Sequence, residues 1–253
     1  MTPVWVLLGS VAGAIIGSFI ATLILRWPAG RSVIGGRSQC DGCGRQLRAS
    51  ELLPIVSFVA SRGRCRSCTA PIARFHLIVE LSAAGLGGLA LWLAPDLRGI
   101  ALALLWWQLL TIALLDARHF WLPDRLTVLL AASGLALGGF LLGAPLQDRI
   151  IGGMAGFAVL ALIAAGYRRV RGRDGLGGGD PKLLGAIGCW LGWSALAPIV
   201  LIAGLVGIGV AIAGRKARFD ALPFGTFLAA GGLLWSGLQL ARAVAQAAGI
   251  ERN

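Results

Sequence analysis

Gly99-Ile-Ala-Leu-Ala-Leu-Leu-Trp-Trp-Gln-Leu-Leu-Thr-Ile-Ala-Leu-Leu115 runs for 17 residues without a charge and then meets Asp116. A bilayer core of about 30 Å needs roughly 20 predominantly apolar residues per helix. The run therefore reads as a membrane span with a carboxylate at its edge. The composition around it agrees: the 253 residues are 57% hydrophobic and 13% charged, with a mean hydropathy of +0.80. Soluble domains carry about 25% charged residues, and a soluble fold of this size cannot hide so much apolar surface. The spacing predicts an all-α polytopic membrane protein with about eight transmembrane helices, at 4–25, 75–93, 99–115, 126–142, 150–167, 183–193, 195–213 and 224–244. The sixth is the shortest. Segment 4–25 has no basic residue before it and is long enough to span, so it is expected to be a retained helix and not a cleaved signal.

The net charge of +12 would suggest a nucleic-acid partner in a soluble protein. Here the basic residues lie between apolar runs. Arg26, Arg31, Arg37, Arg45, Arg48, Arg62, Arg64, Arg66 and Arg74 share one loop. Arg118 and Arg125 occupy another, Arg168, Arg169, Arg171, Arg173 and Lys182 a third, and Arg215, Lys216 and Arg218 the last. Every second loop is thus basic, which predicts that these loops face the cytoplasm and that both termini lie outside it. No nucleic-acid partner is expected; anionic membrane lipid is the expected counter-charge. Small residues inside the runs, such as Gly85, Gly87 and Gly88 or Gly152, Gly153 and Gly156, read as close helix packing.

The one large loop holds Cys40-Asp-Gly-Cys43 and Cys65-Arg-Ser-Cys68. Two CxxC turns about twenty residues apart form a zinc pattern, because each turn presents two thiolates and two turns complete a tetrahedral site. With no ligand position open, the metal would be structural. Arg45, Arg62, Arg64 and Arg66 would offset its thiolate charge. Redox thiols are the other reading, while a cytosolic loop disfavours stable disulfides. Cys189, in an apolar run, reads as a small buried residue.

Asp116 ends one apolar run, and Asp180 follows Gly175-Leu-Gly-Gly-Gly179 and precedes another. Ionisable groups at the membrane edge are functional suspects. Two carboxylates sharing a proton and a water suffice for peptide hydrolysis, since like charges at short range cannot both ionise cheaply. The glycines before Asp180 are expected to let substrate backbone approach closely and to permit unusual backbone angles. Each aspartate taken singly also reads as a helix cap; Asp124 looks like one, and Asp174 like a solvated loop charge. Spacing alone leaves the choice of pair open.

The motifs resolve that choice by resemblance. In order they are Gly17-Ser-Phe19, the two CxxC turns, Glu51-Leu-Leu-Pro-Ile-Val-Ser57, Arg62-Gly-Arg-Cys65-Arg66, Val79-Glu80-Leu81, Asp116-Ala-Arg-His-Phe-Trp-Leu-Pro-Asp124, Gly179-Asp180-Pro-Lys-Leu-Leu184 and Pro223-Phe-Gly225. Together they resemble the bacterial prepilin peptidases, bifunctional leader peptidase/N-methyltransferases of type IV pili and type II secretion and membrane proteases with a Gly-x-Gly-Asp motif. The resemblance covers nearly the whole chain. It implies that Asp116 and Asp180 are the catalytic aspartates and that Cys40, Cys43, Cys65 and Cys68 belong to the cytoplasmic zinc module. It further implies prepilin or pseudopilin substrates, cut after a leader glycine at the cytoplasmic face of the inner membrane, and N-methylation with S-adenosylmethionine as methyl donor. Many relatives carry an asparagine where Ala21 stands here. The expected division is a first transmembrane helix (1–25), the four-cysteine zinc module (26–74) and a transmembrane peptidase core (75–253).

Other polar residues carry two readings each. Lys182 tunes the aspartates or anchors a helix, and Glu80 pairs an arginine or serves the site. His76, His119, Trp106, Trp107 and Trp121 read as packing or interfacial residues. The competing class is a non-enzymatic transporter or channel with a zinc-stabilised loop, which explains the spans but not the flanks of the two aspartates.

Overall fold

The computed structural model describes residues 2–33, 35, 38–40, 42–213 and 222–249. Arg37, Arg215, Lys216 and Arg218 of the basic loops lie outside the described residues. The described residues are helical, with no strand beyond two isolated bridges. Seven helices among them are long and apolar enough to cross a membrane, and the chain divides into two compact units, residues 1–92 and 93–253.

The first unit contains α1 (Thr2–Arg26), a 3₁₀ turn (Ala49–Glu51), α2 (Val56–Ala60) and α3 (Arg74–Leu93). Helices α1 and α3 meet through small residues at four-residue spacing. A side chain at Gly9, Gly13 or Gly17 would collide with the backbone of Gly87, Ala83 or Glu80, respectively. The order of these contacts makes the two helices antiparallel. In lipid, which supplies no hydrophobic drive between helices, such backbone approach is the source of association. Gly88 is likewise closed off, by Ser10, whereas Gly85 faces open space. Glu80 is buried, and its Oε2 accepts the Ile55 N–H at 2.7 Å. This partner is thus a backbone amide and not the arginine that one of the two readings of Glu80 supplies.

The second unit contains α4 (Leu97–His119), α5 (Asp124–Leu142), α6 (Leu146–Arg171), α7 (Asp180–Leu191), α8 (Leu196–Ala213) and α9 (Phe224–Ala247). Helix α7 is its centre. Every residue of α7 except Lys182 is buried, and it packs most extensively on α6 and α5. Its 12 residues span only about 18 Å at 1.5 Å per residue. This is the short sixth segment of the sequence reading, begun earlier, at Asp180, because Pro181 suits a first helical turn. It ends at Gly192, whose φ of +80° favours glycine. A short helix with broken ends is tolerated at membrane depth when protein, not lipid, surrounds it.

Glycine lets α7 sit so deep. The backbones of Gly152 and Gly188 touch, Gly185 lies on Gly153, and Trp190 covers Gly134 and Gly138 of α5. Arg149 is a buried cation satisfied by carbonyls: Nη1 donates to Gly134 and Leu135 at 2.8 and 3.0 Å, and Nε to Ala144 at 3.2 Å. Trp106 is a packing residue, its Nε1 donating to Ser236 Oγ at 3.0 Å.

Candidate active site and metal centre

Asp116 lies in the last turn of α4 and Asp180 is the first residue of α7. They are 5% and 3% exposed, so neither is the solvated loop charge that its position near a span end allows. Each is held from a different direction. Asp116 Oδ2 accepts the Thr226 N–H at 2.7 Å, and the Thr226 hydroxyl approaches the same oxygen at 3.1 Å and the Ala113 carbonyl at 3.1 Å. Thr226 belongs to the first turn of α9, so Asp116 sits at a helix N-terminus, where negative charge is favoured. Asp180 Oδ2 accepts the Gly177 N–H at 3.0 Å, and the Asp180 N–H returns to the Gly177 carbonyl at 3.1 Å. The turn is closed twice, by backbone and by side chain.

The glycines around the pair provide room and not unusual angles. None of Gly175, Gly177 and Gly179 has a positive φ. A Cβ at Gly179 would strike Leu122 at 2.5 Å, one at Gly175 the Tyr167 ring at 2.5 Å, and one at Gly177 would lie 3.2 Å from Asp180 Oδ2. A Cβ at Gly225 would lie 2.8 Å from Leu122 Cδ1 and 3.0 Å from Asp116 Oδ2. Leu122 therefore touches the glycine neighbouring each aspartate, and bare backbone at both contacts lets it do so. Thr226 and Leu122 are the residues the sequence reading missed. The only signal for Thr226 is a hydroxyl following Pro223-Phe-Gly225 at a helix start.

Asp124 and Asp174 are elsewhere. Asp124 is the first residue of α5, with Pro123 as its N-cap, and its Oδ1 meets Lys182 Nζ at 2.6 Å in an exposed ion pair. Lys182 thus ties the first turn of α7 to that of α5. Asp174 pairs with Arg168 at 2.7 Å, both exposed. His119 is exposed in the last turn of α4.

In the first unit the four cysteines converge. The sulfurs of Cys40, Cys43, Cys65 and Cys68 all lie within 4.8 Å of one another, and none is in a disulfide. The Cys40 and Cys68 sulfurs are 3.7 Å apart. Zinc–sulfur bonds of 2.3 Å in a tetrahedron place sulfurs about 3.8 Å apart, so the donor set fits zinc.

The two turns are built alike. The Cys40 N–H donates to the Arg45 carbonyl and the Cys65 N–H to the Ala70 carbonyl, both at 2.9 Å. The Gly42 and Ser67 amides point at the Cys40 and Cys65 sulfurs at 3.4 and 3.5 Å. Amide donors from Cys68 and Ser67 pull the Cys65 thiol down to about 6. The Ala70 amide pulls on Cys68 as well, yet burial and the other three thiols push it up to about 11. A bound metal would take all four as thiolates. Arg45 stands beside the cluster. Its guanidinium binds Glu51 through two bonds of 2.7 and 3.0 Å and also interacts with Cys65. Hydrogen bonding from Arg45, then from the Arg48 amide, holds the Glu51 carboxyl down at about 2.

Residues 102–212 match the Type IV leader peptidase family, and residues 11–94 match the Bacterial Peptidase A24 N-terminal domain. A prepilin leader peptidase/N-methyltransferase of Burkholderia pseudomallei (strain 1026b) is 41% identical, over 81% of this chain and 68% of its own length. One from Aeromonas hydrophila is 40% identical over 79% and 71%, and one from Stutzerimonas stutzeri 33% identical over 93% and 95%. The chain belongs to the type IV leader peptidase family. It is a multi-pass membrane peptidase, and its relatives share a name that adds N-methyltransferase. No solved structure matches it. The peptidase match contains both buried aspartates, and the N-terminal match contains all four cysteines. Thr226 lies beyond the peptidase match, on α9. The transporter reading finds no support in this family.

Proposed function

We propose that this enzyme cleaves the leader of type IV prepilins and pseudopilins at the cytoplasmic face of the bacterial inner membrane, by an aspartic mechanism, and then methylates the new N-terminus. The observation that carries the reading is the burial of Asp116 and Asp180 on two helix ends whose neighbouring glycines, Gly225 and Gly179, both lie against Leu122. Asp116 accepts from both groups of Thr226 and Asp180 from one amide, so the single negative charge belongs on Asp116 and the shared proton on Asp180. Asp116 takes a proton from water as its oxygen attacks the scissile carbonyl, and Asp180 gives its proton to the carbonyl oxygen. The diol then collapses: the proton held by Asp116 passes to the departing amine, and a hydroxyl proton restores Asp180. The orientation rests on the basic loops.

Methylation would move the methyl group of S-adenosylmethionine from its sulfonium to the freed α-amine, leaving S-adenosylhomocysteine and a proton. Cys40, Cys43, Cys65 and Cys68 would hold a structural zinc ion, whose part is to fix the module. Co-expression with a prepilin and mass spectrometry of the product N-terminus tests the whole reading. A shortened, methylated product is expected; an intact leader would overturn it, and a cleaved but unmethylated product would remove the second activity.

Thr226 is a positioning residue. Thr226→Val keeps the amide donor and removes the hydroxyl. A hydrogen bond to a charged group contributes about 1.5–3 kcal/mol, so kcat for a prepilin peptide is expected to fall roughly tenfold or more with KM little changed. An unaltered kcat would dismiss that role. At the metal centre, Cys40→Ser and Cys68→Ser are each expected to lower the zinc content of the purified protein and its melting temperature. Full zinc stoichiometry in both would count against the tetrathiolate site.

A further inference from the structure

The module carries an apolar surface that neither the peptidase chemistry nor the metal explains. Leu52, Leu53, Val56 and Val59 are 45%, 52%, 62% and 65% exposed. Val56 and Val59 stand three apart on α2, hence on one face, while Phe58 turns away to cover Gly63. The segment before them reverses sharply. Ile55 has φ +62° and ψ −53°, and the Val56 N–H bonds the Pro54 carbonyl at 2.5 Å. This is the γ-turn form that is rare and strained, and such a form persists only where its surroundings hold it. Glu80 does the holding, through the 2.7 Å bond to the Ile55 amide.

That bond also sets a depth. Helix α3 has 20 residues, about 30 Å at 1.5 Å per residue, the thickness of the hydrocarbon core. Glu80 is its seventh residue, about 9 Å in from the Arg74 end, and helical side chains lean toward the N-terminus. The Ile55 turn is thereby held no more than about 9 Å inside the Arg74 end of the span, within the layer of about 5–10 Å below the headgroups that a surface-bound apolar face occupies. Charge completes the picture. Arg48, Arg62, Arg64 and Arg66 are exposed. The only acidic side chain between residues 42 and 79 is Glu51, and Arg45 already binds it bidentately. An apolar tip at interfacial depth with an arginine collar is the pattern of a surface that enters one leaflet and binds anionic phosphates.

We propose that Leu52, Leu53, Val56 and Val59 insert into the cytoplasmic leaflet, with the flanking arginines on anionic phospholipid headgroups, so that the module is moored to the membrane between its two cysteine turns. The test places a benzophenone amino acid at Val56, and separately at Val59, in the full-length protein. Each variant is reconstituted in nanodiscs of phosphatidylcholine with or without phosphatidylglycerol, with a prepilin peptide present. Illumination is expected to give lipid adducts at both positions, several-fold more with phosphatidylglycerol. Adducts to the peptide in place of lipid would make the patch a substrate surface and overturn the proposal. An absence of lipid adducts in both compositions would overturn it too. Both readouts are independent of cleavage activity.

Discussion

Asp180→Asn is expected to abolish prepilin cleavage, and Asp116→Asn to do the same, while each protein still reaches the membrane and melts near the parent temperature. General acid–base action by one positioned group contributes about 10²–10⁴ in rate, and an asparagine at either position can neither take nor give the proton. The fold tolerates both changes because asparagine keeps an acceptor oxygen for the Thr226 amide or the Gly177 amide. Asp124→Asn supplies the contrast. It weakens only an exposed ion pair with Lys182, a contact of about 0–1 kcal/mol, so most cleavage should survive. Normal turnover by either the Asp116 or the Asp180 variant would end the dyad assignment. Loss of cleavage in the Asp124 variant alone would mean that the sequence motif had been assigned to the wrong aspartate.

That comparison marks where the sequence stops being informative. The long spans are legible because apolar length is a one-dimensional quantity. Segment 99–115 becomes Leu97–His119, longer at both ends, since Asp96 caps the first turn by accepting the Arg98 N–H at 2.8 Å and the polar last turn continues as helix. The cysteine turns are legible because ligand spacing is local. Helix α7 is harder: its boundaries depend on Pro181 and the positive φ of Gly192, and its short length on being enclosed by protein. The close partners of the aspartates are not legible at all. Thr226 is 110 residues from Asp116, and nothing in Pro223-Phe-Gly225 says which side chain it faces. Nothing in the sequence around Arg149 shows that its guanidinium lies under the carbonyls of α5. The glycines mislead in a particular way. Unusual backbone angles are the expectation for Gly175, Gly177 and Gly179, yet none has a positive φ, and a Cβ at these positions would meet Tyr167, Asp180 and Leu122.

Space is also what the strongest structural prediction tests. A Cβ at Gly188 would fall on the Gly152 backbone, and one at Gly152 would lie 2.7 Å from the Gly188 carbonyl oxygen. Neither clash involves a flexible side-chain end, so α6 and α7 must separate to admit a side chain. Gly188→Val is therefore expected to cost about 3 kcal/mol or more, seen as a lower melting temperature by tryptophan fluorescence in detergent. The same shift should reach the chemistry, because α7 carries Asp180 at its first turn. A displacement of 1 Å costs about 10²-fold in rate, so cleavage should fall by that order even below the melting temperature. Gly204→Ala and Gly209→Ala on α8 are the controls. Nothing lies within 4 Å of a Cβ at either position, and alanine gains about 1 kcal/mol of helix propensity over glycine, so both should cleave like the parent and melt no lower. If Gly188→Val melts and cleaves like those two, the contact between α6 and α7 is not what places Asp180.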